Sequence, residues 1–310
     1  MPDYHDEVTR HRKPDWLKIK LHRSEEFGEV ARIVREHGLH TICSSGRCPN
    51  QAECWSRRTA TFMILGDICT RSCKFCATAT GKPLPPDPDE PRKLARSISL
   101  MGLKHCVVTS VDRDDLPDGG AALWAESVRA VRELNPDTTI ELLIPDFDAR
   151  EELIDLVADA RPDILGHNIE TVRRLTPQVR SRARYEVSLR TLAHIARRGL
   201  TAKSGLMVGL GETGEEVHGV LADLAAAGCD IVTIGQYMRP SQKHHPVERY
   251  VHPGIFESYA QKGRELGIPF VFSAPLVRSS YNAEQAYASL LNRKQHMPSE
   301  AAEPHGSEQP

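Results

Sequence analysis

The sequence predicts an α/β protein, a parallel (β/α)6 partial TIM-type barrel with N-terminal and C-terminal extensions. Three observations predict it. From Thr59 onward, β-rich runs and amphipathic helical stretches alternate about six times, the pattern of a parallel sheet built from βαβ units. At 310 residues the chain can bury the core of one large α/β domain or two ordinary ones. A cluster of three cysteines, Cys69, Cys73 and Cys76, directly follows the first β-rich run, where such barrels carry their chemistry.

Residues 1–58 form the first extension. Residues 1–20 mix Asp, Glu, His, Arg and Lys with no apolar run resembling a signal peptide or a membrane span, so a cytoplasmic protein is expected. Residues 12–18 read as neither helix nor strand. A helix follows over 24–34, with Ser24 as cap, Glu25 and Glu26 in its first turn, and Gly38 where it would stop. Residues 59–275 carry the barrel. Its strands are expected at 59–65, 105–111, 138–145, 163–170, 202–210 and 231–238, and its crossover helices include 121–134, 151–160, 188–198 and 215–227. A further short run at 269–274 precedes a C-terminal segment, 276–293, with a terminal helix to about Arg293. The tail, 294–310, is polar and rich in Pro, Glu and Ser, and is expected to be disordered.

Forty Lys and Arg against 42 Asp and Glu leave a net charge of −2, which argues against a general nucleic-acid binder. The densest basic run holds Arg173, Arg174, Arg180, Arg182 and Arg184. It is a solvated face, a dock for an acidic surface, or the source of one arginine for a site. Of eight cysteines, six fall in two close triplets, whereas Cys106 and Cys229 stand alone in apolar segments and read as core. Clustered triplets in a chain with no secretory signal point to metal rather than disulfides.

Cys69, Cys73 and Cys76 have Cys-x3-Cys-x2-Cys spacing, and no fourth Cys or His follows before the proline-rich stretch 83–91. Thiolates select zinc, copper(I) or iron–sulfur clusters, and an incomplete set leaves one metal position for an exchangeable ligand. The spacing resembles that of the radical S-adenosylmethionine (SAM) enzymes, where it implies a [4Fe–4S] cluster whose fourth iron chelates SAM. A structural zinc loop or a Cys-x2-Cys thiol pair is the plainer reading. The second triplet, Cys43, Cys48 and Cys54, is also incomplete and does not match the paired spacing of common zinc modules.

Gly209, Gly211 and Gly214 spell Gly-x-Gly-x-x-Gly, but the next strand ends without the acidic residue that a dinucleotide fold needs. Gly205-Leu-Met-Val-Gly209-Leu-Gly-Glu212 resembles the Gly-x-Ile-x-Gly-x-x-Glu run beside the adenine in radical SAM barrels, with Met207 replacing Ile. Thr213 and Glu216 fit a capping box. Strand ends also carry Thr109, Asp112, Glu141, His167, Asn168 and Glu170. SAM brings an ammonium, a carboxylate and ribose hydroxyls, so polar groups on neighbouring strand ends suit its recognition. Any of them could instead cap a loop or join an ion pair, and His167 could be a packed core histidine.

Together the motifs resemble the lipoyl synthase family, from Lys13 to Ala283. They are Cys-x4-Cys-x5-Cys, then Cys-x3-Cys-x2-Cys, then Arg278-Ser-Ser-Tyr-Asn-Ala283, supported by Cys48-Pro-Asn, Ile144-Pro-Asp-Phe147 and Gln236-Tyr237. Gln51-Ala52 and the residues after Cys76 depart from the usual pattern. The resemblance implies two [4Fe–4S] clusters and SAM. The cluster on Cys69, Cys73 and Cys76 would reduce SAM to a 5′-deoxyadenosyl radical. The cluster on Cys43, Cys48 and Cys54, closed by Ser280 rather than Ser279, would give sulfur to C6 and C8 of a protein-bound octanoyl-lysine. Gly205, Gly209, Glu212, Thr109, Asp112, Glu141 and Asn168 are the expected cofactor contacts. The implied partners are octanoylated lipoyl carrier domains, of a 2-oxoacid dehydrogenase E2 or the glycine cleavage H protein. A donor such as ferredoxin or flavodoxin and an iron–sulfur carrier for cluster repair are implied too, with no nucleic acid and no membrane. Another sulfur-inserting or methylthiolating radical SAM enzyme, or a non-catalytic metal-binding protein, is the alternative.

Overall fold

The computed structural model describes residues 13–18, 24–57, 59–280 and 289. Tyr281 to Ala283, the rest of the expected terminal helix apart from Ser289, and the tail lie outside the described residues. Residues 12–18, read as neither helix nor strand, include a 3-10 turn, Asp15–Leu17, that buries Leu17. Helix α1 (Glu25–Glu36) starts after Ser24, as expected, but the Ser24 side chain makes no cap bond.

A short β1 (His40–Thr41), α2 (Ile42–Ser45) and α3 (Gln51–Ser56) then carry the first cysteine triplet, with Cys48 in the turn between the helices. These pieces span two to six residues, too few for a periodic signal. The barrel begins with β2 (Thr61–Ile64), followed by the two-stranded pair β3 (Ile68–Cys69) and β4 (Ala79–Thr80). After β4 come α4 (Glu90–Met101), β5 (His105–Ser110), α5 (Ala121–Leu134), β6 (Thr139–Leu143), α6 (Glu151–Ala158) and β7 (Ile164–Gly166). The chain continues through α7 (Thr176–Val179), α8 (Tyr185–Arg197), β8 (Thr201–Val208), α9 (Gly214–Ala226), β9 (Ile231–Gln236), α10 (Pro253–Glu265) and β10 (Phe270–Ser273).

The main sheet runs β1-β2-β5-β6-β7-β8-β9-β10, parallel throughout except for the antiparallel pair β1 and β2. Six βα units, β2 to α10, are thus followed by a seventh parallel strand. The sheet ends at β1 on one side and β10 on the other, so the barrel is open. Strands β2 and β9 are buried along their whole length, and parallel strands covered on both faces read as continuous apolar runs.

Helix α4 was hidden by the prolines at 83–91. Pro91 sits in its first turn, where a missing N–H costs nothing. Glu90 beside it accepts a hydrogen bond from the Leu65 N–H at 2.7 Å, tying the helix start to the end of β2. The expected capping box opens α9: Glu216 N–H donates to Thr213 Oγ1 at 3.2 Å, and Thr213 N–H donates to Glu216 Oε2 at 2.8 Å. Cys106 and Cys229 are buried in the core, as read. No helix among the described residues is long and apolar enough to cross a membrane.

Candidate active site

From the carboxyl ends of the strands into the barrel interior runs a cavity of about 510 Å³, well within the range of small-molecule sites. Cys69, Cys73 and Cys76 line it beyond the carboxyl end of β2, and Cys43 and Cys48, which follow β1, line it near the amino end of β2. Cys54 does not line the cavity, but its thiol lies within electrostatic reach of Cys43 and Cys48. Burial pushes the Cys54 and Cys69 thiols up to about 12 and also raises Cys43 and Cys76. Such thiols ionise when a cation stands among them. Among the described residues, no three His, Cys, Asp or Glu side chains are placed to hold one metal ion. Two sets of three soft donors, each leaving one metal position open, suit a polynuclear iron–sulfur group.

The Cys69 loop is fixed by Arg71, which the sequence reading passed over. Its buried guanidinium donates to Asp114 Oδ2 at 2.9 Å and Oδ1 at 2.8 Å, and to Asp146 Oδ2 at 3.1 Å and Oδ1 at 3.0 Å. Asp112 Oδ1 stands 3.3 Å away. Burial would raise Asp146, but the Arg71 bond and the charges of His167 and Arg71 outweigh it and hold the carboxyl at about 2. The N–H groups of Arg71 and Asp112 donate to Cys69 Sγ at 3.4 and 3.3 Å. Nothing local in the sequence marks carboxylates 43 and 75 residues away as partners of Arg71.

Of the expected cofactor contacts, Thr109, Asp112, Glu141, Asn168 and Gly205 line the cavity, whereas Gly209 and Glu212 do not. Glu212 turns its carboxylate back to accept from the Gly209 and Leu210 N–H groups at 2.7 and 2.9 Å, closing the turn after β8. Gly209 has φ +99°, and a Cβ there would meet Gln236 Nε2 at 2.2 Å. Gly205 leaves room for Asn168, whose Oδ1 a Cβ would approach to 2.6 Å. Thr109 Oγ1 donates to Leu143 O at 3.1 Å. Glu141 lies in the middle of β6 rather than at its end. It accepts from Lys203 Nζ at 2.6 Å, and although burial raises its carboxyl, Lys203 and His105 together outweigh burial and keep it low.

His167 is the packed histidine of the alternative reading, and it also lines the cavity. Its ring nitrogens meet Ile144 O and Ser188 Oγ, each at 2.9 Å, and burial with the nearby Arg180 charge lowers it to about 4. The basic run divides. Arg173, Arg174 and Arg182 pair with surface carboxylates, while Arg180 is buried, lines the cavity and donates to Ser188 Oγ at 2.9 Å.

Residues 275–280 cross the cavity, and Val277 to Ser280 line it. Gln236 N–H donates to Pro275 O at 3.1 Å, and Asn50 Nδ2 donates to Leu276 O at 2.8 Å. Asn168 Nδ2 donates to Ser279 Oγ at 2.9 Å, and Thr61 Oγ1 donates to Ser280 Oγ at 2.8 Å. The two serines therefore face opposite sides, Ser280 toward β2 and Cys43, and Ser279 toward the end of β7. The crossing depends on Gly235, where a Cβ would lie 2.0 Å from Val277 O. Gly235→Ala is expected to lift this segment, with amide exchange at 276–280 faster by about tenfold or more, since overpacking costs about 1–3 kcal/mol. Unchanged protection there would contradict the crossing.

The Radical SAM superfamily profile matches residues 63–224, a little over half of the chain. The lipoyl synthase of Bacteroides fragilis is 60% identical over 276 residues, covering 89% of this chain and 96% of its own. The chain belongs to the lipoyl synthase family. The lipoyl synthase of Treponema denticola is 54% identical over 274 residues, covering 88% of this chain and 94% of its own. Two solved structures share the fold. Streptococcus suis SuiB bound to S-adenosylmethionine has TM-score 0.55 at 10% identity, over 72% of this chain and 54% of that one. HydG, a maturase of the [FeFe]-hydrogenase, has TM-score 0.54 at 14% identity, over 74% and 54%. Membership in the lipoyl synthase family brings SAM and [4Fe–4S] clusters as cofactors, and the two thiol triads around one cavity fit them.

Proposed function

We propose that the chain inserts two sulfur atoms, at C6 and C8 of an octanoyl group borne on a lysine of a lipoyl carrier domain. Cys69, Cys73 and Cys76 hold the cluster that binds SAM. Cys43, Cys48, Cys54 and Ser280 hold the auxiliary cluster. When bound, the first group supplies the electron that cleaves SAM, and the second supplies sulfur. The observation that carries this reading is that two incomplete triads meet at one cavity, lined by Ser280 and by every cysteine of the triads except Cys54.

Unactivated C–H bonds cannot be deprotonated by any side chain, so the protein's own contribution is binding, orientation and exclusion of water. Arg71 keeps the Cys69 loop against the ends of β5 and β6. Asp112 and Asn168 offer a carboxylate and an amide to the polar parts of SAM, and Gly205 lets Asn168 approach. Val107, Leu143 and Leu206 give the octanoyl chain an apolar wall. The carrier is a 2-oxoacid dehydrogenase E2 or glycine cleavage H protein domain. Ferredoxin or flavodoxin donates the electron, an iron–sulfur carrier renews the auxiliary site, and the reaction runs in the cytoplasm.

Anaerobic reconstitution is expected to load about eight iron and eight sulfide per chain, two [4Fe–4S] clusters. Turnover with SAM, a reductant and an octanoylated carrier peptide, followed by mass spectrometry, should then show gain of two sulfur atoms. Zinc in place of iron, or SAM cleavage that leaves the peptide mass unchanged, would overturn the assignment.

A further inference from the structure

We propose that Thr61 is a positioning residue for the auxiliary cluster, its hydroxyl holding the Ser280 oxygen at the fourth ligand position. The inference rests on the reading of Ser280 as that ligand. Thr61 opens β2, the strand that separates the two triads, and it is 5% exposed. Its Oγ1 donates to Ser280 Oγ at 2.8 Å across 219 residues of sequence. Cys43 lies near Thr61, because Thr41 pairs with Phe62 and the residues after Thr41 therefore reach the start of β2. One buried residue thus stands near the first cysteine of the triad and bonds the serine expected to complete it.

The chemistry suits the placement. A serine oxygen that ligates iron has given up its proton and can only accept, so it needs a donor on the side away from the metal. Thr61 supplies that donor from a β-branched side chain, whose χ1 freedom is small and whose hydroxyl direction is therefore fixed by the strand. Hydrogen bonds to charged groups are the stronger ones, and a short bond from Thr61 would hold the ligand oxygen in place until its iron departs. Ser279 also accepts a hydrogen bond, from Asn168 Nδ2 at 2.9 Å, but its donor sits beyond the end of β7, across the cavity from β2.

The test uses the full-length, anaerobically reconstituted holoenzyme as Thr61→Val, Thr61→Ala, Thr61→Ser and Ser280→Ala. Two measurements are made without turnover: iron release to a ferrous chelator, and the 57Fe Mössbauer spectrum. Thr61→Val and Thr61→Ala, which remove the hydroxyl, are expected to release about one iron per chain at least about tenfold faster than wild type, the scale of a lost hydrogen bond to a charged group. Both should approach Ser280→Ala, with the signal of the oxygen-ligated iron altered. Thr61→Ser restores the donor and should return rate and spectrum toward wild type, which a loss of packing alone would not do. If Ser280→Ala changes rate and spectrum while Thr61→Val and Thr61→Ala match wild type, Thr61 has no positioning role and the ligand reading stands. If Ser280→Ala itself matches wild type, the ligand reading falls, and this inference with it.

Discussion

Cys73→Ala is expected to abolish SAM cleavage, whereas Cys48→Ala should still form 5′-deoxyadenosine but no sulfur-containing product. The two thiols line one cavity, yet each belongs to a separate triad. Removing one of three protein ligands strikes the cluster directly. The loss should exceed the 10–100-fold that follows from losing a mere outer partner of a metal site. In Cys73→Ala the damage falls on the loop that Arg71 clamps, and no SAM-derived radical forms for the other site to use. In Cys48→Ala that loop, with Asp112 and Asn168 beside it, is untouched. Chromatography of 5′-deoxyadenosine and mass spectrometry of the peptide separate the outcomes. Two variants that both cleave SAM at the wild-type rate would refute the division of labour.

Arg71→Met should have the largest effect on stability, a loss of about 3–5 kcal/mol, the scale of a buried charge network deprived of one partner. Asp112, Asp114 and Asp146 surround the guanidinium, and the substitution leaves Asp112 and Asp146 without their ion-pair partner and Asp114 with Arg182 at 3.7 Å. The effect carries a pH signature. In the wild type, Asp146 is depressed to about 2 from an ordinary 3.8, so its stabilising contribution is complete above 3.8 and is lost as pH falls through 2. Without Arg71, burial dominates and its folded-state value lies above 3.8. Protonation then favours the folded form. The deficit of Arg71→Met against wild type, measured by urea unfolding, should therefore shrink as pH is lowered from 7 toward 4.5. A deficit that is constant across that range would mean the carboxylates are not the cause.

The sheet was legible because parallel strands covered on both faces leave unbroken apolar runs, and six such runs were found at the observed strands. The triads were legible because ligand spacing is local chemistry. What escaped reading was short or distant. Strand β1 and helix α2 have two and four residues, and α4 begins inside prolines that signal a loop until Pro91 is seen as a first-turn residue. Arg71 with Asp146, Lys203 with Glu141, and Thr61 with Ser280 are pairings across 75, 62 and 219 residues, and no window of sequence contains them. Glu141 shows the risk of reading a polar residue in a strand as a strand-end contact. It sits at the centre of β6, where it pairs with Lys203.

The crossing of residues 275–280 also sets an order on biosynthesis. Asn50 and Thr61 emerge early from the ribosome, but their partners Leu276 and Ser280 are translated 226 and 219 residues later. The Cys69 loop takes its Arg71 clamp from Asp146 and further hydrogen bonds at Cys76 O and Lys74 O from His244 and His245, so it can reach its final shape before residues 275–280 are made. The auxiliary site cannot. Its closing oxygen is among the last described residues to leave the tunnel, so a prematurely terminated chain would retain the radical-generating loop and lack the serine that completes the sulfur source.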